Sequence, residues 1–274
     1  MMGIYELVNF FKKNTTMDFE KASPINQNAR GIPVPSKLAT QGSCKNCKVC
    51  EANCPTKAIQ VKSEVELKID YGACLQCGIC VNVCPSDRLQ NSSLVYAFAL
   101  NREELKVSYV KGDFVPKEYP TPESILPFQK LTKKRGFNYR EVAAAGNNTV
   151  ECELNASFNN FFDSEGQMVR SVASPKHADA ILFSGPVSKN MEGPLQTAWD
   201  CVAEPKALIA AGTEAIMGGV FQAGKKPKEP DLYIAGDPPR PDVMLSAFRY
   251  LMGQIQYSFQ STLKERLKTL REEK

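Results

Sequence analysis

Eight of the ten cysteines fall between Cys44 and Cys84, in two blocks of identical internal spacing. The first, CKNCKVCEANCP, carries Cys44, Cys47, Cys50 and Cys54; the second, CLQCGICVNVCP, carries Cys74, Cys77, Cys80 and Cys84. A proline, Pro55 or Pro85, follows each fourth cysteine. Such clustering points to metal rather than to disulfides. Four thiolates also suit zinc, and paired cysteines are common in zinc ribbons. Zinc needs no third cysteine in each tight loop, however, so the doubled spacing favours iron-sulfur chemistry.

Both blocks match the bacterial ferredoxin pattern. There, three cysteines in a tight loop wrap one face of a cubane, and the fourth, opening a short helix, points to the other cluster. The ligand sets therefore cross: Cys44, Cys47, Cys50 and Cys84 are assigned to one [4Fe-4S] cluster, and Cys74, Cys77, Cys80 and Cys54 to a second. The proline after each fourth cysteine turns the chain away from the cluster. Two clusters in so small a fold favour electron relay, with a purely structural role as the alternative. Cys152 and Cys201 stand outside the blocks and read as small buried hydrophobes.

Elements must hold these loops. Ile4, Leu7, Val8 and Phe11 recur at helical spacing, so residues 3–13 read as an amphipathic helix needing a partner protein or a membrane interface to cover. Residues 17–42 read as an extended arm. After the second block, residues 94–100 resemble a strand or short helix, and a proline-bearing stretch at 115–128 marks a linker. The second half changes character: ADAILFSG (178–185), KALIAAG (206–212) and DLYIAG (231–236) are short apolar runs ending in glycine, as in buried parallel strands. A helix is expected over about 191–202, and one strongly helical stretch from Asp242 to about Arg271. That alternation predicts an open α/β sheet whose sites lie at the carboxyl ends of strands, in the loops after Ala211 and Ala235.

The chain has 274 residues, 43% of them hydrophobic and 23% charged, which excludes disorder and collagen-like structure. No apolar run approaches the roughly 18 residues of a spanning helix. The opening MMGIYELVNFFKKN does not read as a secretory signal, so the expected compartment is the cytoplasm. Residues 1–140 carry 20 basic and 13 acidic side chains, and residues 141–274 carry 14 and 17. The basic surplus thus sits with the cysteines, where it can offset anionic clusters and raise their potentials. Without interleaved aromatics it does not suggest nucleic acid.

Residues 1–110 resemble the two-cluster ferredoxin subunit of formate hydrogenlyase and respiratory complex I, with ARGIPV at 29–34 similar to the segment before the first cluster loop. Residues 141–274 resemble the small subunit of energy-converting [NiFe] hydrogenases and the 20 kDa subunit of complex I. SPKHADAILFSGPVSKNMEGPL (174–195), AEPKALIAAGTEAIMGG (203–219) and AGDPPRPD (235–242) carry that likeness. The resemblance implies an α+β bacterial-type two-cluster ferredoxin domain followed by an α/β open-sheet, flavodoxin-like domain, a fusion of two neighbouring subunits. The expected division is a helix and arm at 1–40, the ferredoxin domain at 41–92, a linker at 93–140 and the small-subunit-like domain at 141–274.

The departure matters as much. In that family four cysteines of the small subunit hold a proximal [4Fe-4S] cluster. By position Asn147, Val150, Glu214 and Asp237 stand for them here, and none is expected to bind a cluster, since Val has no donor atom and the others are hard oxygen donors. The second half then becomes a platform that docks the ferredoxin half onto a large subunit. A hard cation between Glu214 and Asp237, or plain solvated carboxylates, are the alternatives, with Asp237 placed to cap the following helix. His177, the only histidine, reads as a packing or hydrogen-bonding residue. The resemblance implies an electron-transfer subunit with no catalytic residue of its own, two [4Fe-4S] clusters, and large-subunit, membrane-subunit and redox-protein partners. It would lie peripherally on the cytoplasmic face of the membrane. The rival is an assembly or docking protein with structural clusters.

Overall fold

The computed structural model describes residues 16–40, 44 and 47–273. The helix expected over 3–13 lies outside them. Strand β1 (Pro33–Pro35) precedes the cysteine blocks. Each block then forms a one-turn helix and a strand: α1 (Val49–Ala52) with β2 (Ile59–Val61) and, after β3 (Glu66–Asp70), α2 (Ile79–Asn82) with β4 (Leu89–Asn91). β4 pairs antiparallel with β1, and β2 with β3.

Residues 93–140, expected as a linker, instead build parts of both halves. They supply β5 (Phe98–Ala99), β6 (Lys106–Val110), α3 (Leu126–Arg135) and the start of β7 (Phe137–Ala143). β6 extends the β2–β3 sheet, and β5 forms an antiparallel edge on the large sheet of the second half. In β6, buried Val107 and Tyr109 alternate with exposed Lys106, Ser108 and Val110, the period-2 pattern of a half-buried strand. The following glycine and prolines mask that pattern in the sequence.

The second half is the expected open sheet. With β8 (Val169–Ser171), β9 (Ala180–Ser184), β10 (Ala207–Ala211) and β11 (Leu232–Ile234), the six strands run in the order β5-β11-β10-β9-β7-β8, and all but β5 are parallel. Every residue of β9 and β10 is buried, as their continuous apolar runs predict. Around the sheet lie α4 (Thr149–Ala156), α5 (Lys189–Asp200), α6 (Thr213–Met217), α7 (Pro241–Leu251) and α8 (Phe259–Glu272).

The helical stretch expected from Asp242 to Arg271 is two helices. Gly253 takes φ +70 and donates its N–H to the Tyr250 carbonyl at 3.0 Å, ending α7, and the Ser258 hydroxyl caps α8. The break has a packing cause. α7 is buried along its whole length, while α8 swings back onto the cysteine-bearing half.

Phe259, Leu263 and Leu267 of α8 join one core with Ile32, Val34, Tyr71 and Tyr109. Burial of such side chains contributes about 1.5–3 kcal/mol each. The Phe259 ring meets Tyr71 edge-on at 5.3 Å, and the Tyr71 hydroxyl bonds Tyr109 at 2.5 Å and the Pro33 carbonyl at 2.9 Å. Glu104 seats the helix: its buried carboxylate accepts from the Phe259 N–H at 2.7 Å and the Ser258 hydroxyl at 3.2 Å. A negative group there answers both the orphan N–H groups and the helix dipole. The halves are therefore joined by shared side chains, and no described helix is long and apolar enough to cross a membrane.

Candidate iron-sulfur centres

The eight cysteines gather into two groups of four, and each group draws on both blocks. Cys44, Cys47, Cys50 and Cys84 line one cavity, with Pro35, Arg88 and Tyr109. Cys54, Cys74, Cys77 and Cys80 line the other, with Pro33, Ile59 and Gly78. Among the described residues no three His, Cys, Asp or Glu side chains converge on a single-ion position.

Local geometry aims donors at the sulfurs. The Ala58 N–H donates to Cys54 Sγ at 3.2 Å and, thirty positions on, the Arg88 N–H donates to Cys84 Sγ at 3.3 Å. Lys57 and Asp87, the residues just before those donors, both take positive φ, 57° and 48°, which closes the same loop twice. The Gln76 N–H donates to Cys74 Sγ at 3.4 Å, and the Arg88 guanidinium reaches Cys44 Sγ at 3.6 Å. Arg30 binds the loop itself, donating to the carbonyls of Cys77 at 2.6 Å and Gln76 at 3.4 Å.

Burial pushes the Cys50 thiol up to about 11 and the Cys74 and Cys80 thiols up to about 12, with neighbouring cysteines adding repulsion. A thiolate buried without a cation is costly, so these sulfurs suit a metal core that takes the place of their protons. Donor set, cavities and N–H···S bonds together fit a [4Fe-4S] core at each position.

The second group abuts the α/β half. The Thr213 hydroxyl, at the start of α6, donates to the Cys74 carbonyl at 3.1 Å, and Glu214 follows directly. Glu214 lies with the other positions expected to be degenerate. The Asn147 backbone bonds the Glu214 carboxylate, the Asn147 side chain bonds Asp237, and Val150 sits against Gly212. They lie beyond the carboxyl ends of β7, β10 and β11, in three separate stretches of the sequence. Desolvation, with repulsion from Asp237, raises the Glu214 pKa, and desolvation raises that of Asp237. One apolar residue and three hard oxygen or amide donors do not fit an iron-sulfur core.

Three smaller expectations need correction. Cys152 and Cys201 are exposed rather than buried: Cys152 faces outward on α4, and Cys201 stands at the open end of α5. Asp237 does not cap α7: Arg240 holds that position, its side chain bonded to Asp242 at 3.0 Å. The His177 side chain is exposed, and it is the His177 carbonyl that is bonded, by Asn138 at 3.3 Å.

Residues 43–88 match the family described as a 4Fe-4S dicluster domain, and residues 148–251 match NADH ubiquinone oxidoreductase, 20 Kd subunit. Over 144 residues the chain is 33% identical to an NADH-quinone oxidoreductase subunit of Protochlamydia amoebophila, covering 50% of this chain and 88% of that one. The chain belongs to the 20 Kd subunit family of NADH ubiquinone oxidoreductase. This family member is also 33% identical over 153 residues to formate hydrogenlyase subunit 7 of Escherichia coli, covering 52% of this chain and 60% of that one. It thus spans less than two thirds of that relative's length. A chain of the membrane-bound sulfane sulfur reductase, an archaeal respiratory membrane complex, overlays with TM-score 0.40 and 22% identity, covering 56% of this chain and 90% of that one.

Sequence reasoning about this 20 Kd family member passed over Arg88, Thr213 and Glu104. The basic surplus near the cysteines was the one signal for Arg88. The loop after Ala211 points to Thr213 only as a neighbourhood, and nothing in the sequence marks Glu104; their partners are 139 and 155 positions away.

Proposed function

We propose that this chain is an iron-sulfur electron-relay subunit of a membrane-associated oxidoreductase of the hydrogenase or complex I type. It holds two [4Fe-4S] clusters, one on Cys44, Cys47, Cys50 and Cys84 and one on Cys54, Cys74, Cys77 and Cys80. Each cluster, when bound, supplies a one-electron couple. The protein's share is to exclude water, donate N–H groups to the sulfurs and keep the two centres in one small fold. The observation that carries this reading is the sorting of eight cysteines into two crossed groups of four, one of them bonded through Cys74 to the α/β half.

The α/β half serves as a docking platform for a large subunit, with membrane subunits and a redox protein as further partners on the cytoplasmic face. Its donor set at Asn147, Val150, Glu214 and Asp237 supports a platform in place of a third relay step. The ferredoxin half occupies residues 41–92, and the platform begins near residue 141, with the segment between them built into both.

Iron and sulfide analysis after anaerobic isolation, followed by an EPR-monitored redox titration, tests the reading. Eight irons per chain and reversible low-potential couples are expected. Zinc or bare thiols would end it. Eight irons without a reversible couple would favour the docking protein with structural clusters.

A further inference from the structure

We propose that Arg88 sets the reduction potential of the centre on Cys44, Cys47, Cys50 and Cys84, making it unequal to its twin. The inference rests on the electron-relay reading above. Arg88 touches two sulfurs of one set: its N–H donates to Cys84 Sγ at 3.3 Å and its Nη1 to Cys44 Sγ at 3.6 Å. The guanidinium is permanently charged and lies half-buried in the cavity lining, where solvent screens it less than at the surface. Reduction adds one negative charge to a core that already carries four thiolates. A cationic donor on a ligand sulfur therefore stabilises the reduced form more than the oxidised one and raises the potential.

The internal repeat supplies the control. Thirty positions earlier the equivalent residue is Ala58, which makes the matching N–H bond to Cys54 Sγ at 3.2 Å but has no side-chain donor. The Thr56 hydroxyl lies 3.8 Å from that sulfur, a neutral and long contact. The cation beside the second centre, Arg30, directs Nη1 at the carbonyls of Cys77 and Gln76. Among the described residues, the two loops thus differ in one charged hydrogen bond to sulfur, and Arg88 provides it.

The test is an EPR-monitored redox titration of the full chain, isolated anaerobically with its clusters, as wild type, Arg88→Gln and Arg88→Lys. In Arg88→Gln one couple should move to lower potential by about tenfold in its oxidised-to-reduced ratio, about 59 mV for one electron, while the other stays in place. The couple that moves should be the one that Cys44→Ser disturbs. Arg88→Lys keeps the charge without the fork and should shift the same couple less. The assignment is overturned if neither couple moves, or if both move together with iron content unchanged. Should Arg88→Gln lose iron, Arg88→Ala, which puts the other loop's own residue in this place, is titrated instead, and an unshifted couple there refutes the assignment. A wild type with no reversible couple would sink the relay reading along with this one; couples that are present but indifferent to Arg88 would sink this one alone.

Discussion

Thr213 Oγ1 donates to the carbonyl of Cys74 at 3.1 Å and accepts from the Gly236 N–H at 3.3 Å, so one buried hydroxyl ties a cysteine loop to two strand ends of the large sheet. The contact joins the second centre to the α/β half at the residue before Glu214. It makes the two halves share a polar bond as well as a core.

Thr213→Val keeps the shape and removes that bond, leaving the Cys74 carbonyl and the Gly236 N–H buried without this partner. The expected cost is about 1–3 kcal/mol, read as a lower guanidinium midpoint, and Thr213→Ser should restore most of it. A Val variant as stable as wild type would show that the bond contributes nothing.

Crossed ligation predicts which pairs of substitutions act alike. Cys54→Ala and Cys74→Ala should each disturb the same EPR signal, and Cys44→Ala and Cys84→Ala the other, because each pair lines one cavity. If the affected signals sort by sequence block, with Cys54 and Cys44 alike, the crossed sets are wrong.

The pocket at Glu214 gives a pH dependence. Burial and the neighbouring Asp237 raise the Glu214 pKa above its ordinary 4.5. The folded state therefore holds the proton more tightly than the unfolded chain, and stability falls as pH rises from about 4.5 through the folded-state value. Glu214→Gln lacks that loss. It should match wild type near pH 4 and exceed it at pH 7 in chemical denaturation, while equal stability at both pH values would contradict the raised value.

Gly185 closes the other side of the same pocket. It takes φ +76, and a Cβ there would lie 2.2 Å from the Gly146 nitrogen, backbone against backbone. Gly185→Ala combines left-handed strain with an overlap that no rotamer relieves, so a loss of at least about 2 kcal/mol is expected. Thermal unfolding checks it, and an unchanged midpoint would mean that the loop at 144–146 moves freely.

The eight cysteines and the three apolar strands are properties of short segments. Ligand spacing and strand hydrophobicity repeat over a few residues, which is why a dicluster domain and a parallel sheet could be read along the chain. The role of residues 93–140 could not. Phe98 and Ala99 become an edge strand by pairing with Ile234 and Tyr233, and β6 by pairing with β3, so each depends on a distant partner. The split of the last helix is equally non-local: α8 turns because Tyr71 and Glu104 offer it an apolar face and an acceptor. Arg88 shows the same division in one residue. The repeat fixes its backbone bond to Cys84, but only the folded chain brings Cys44 within reach of its guanidinium.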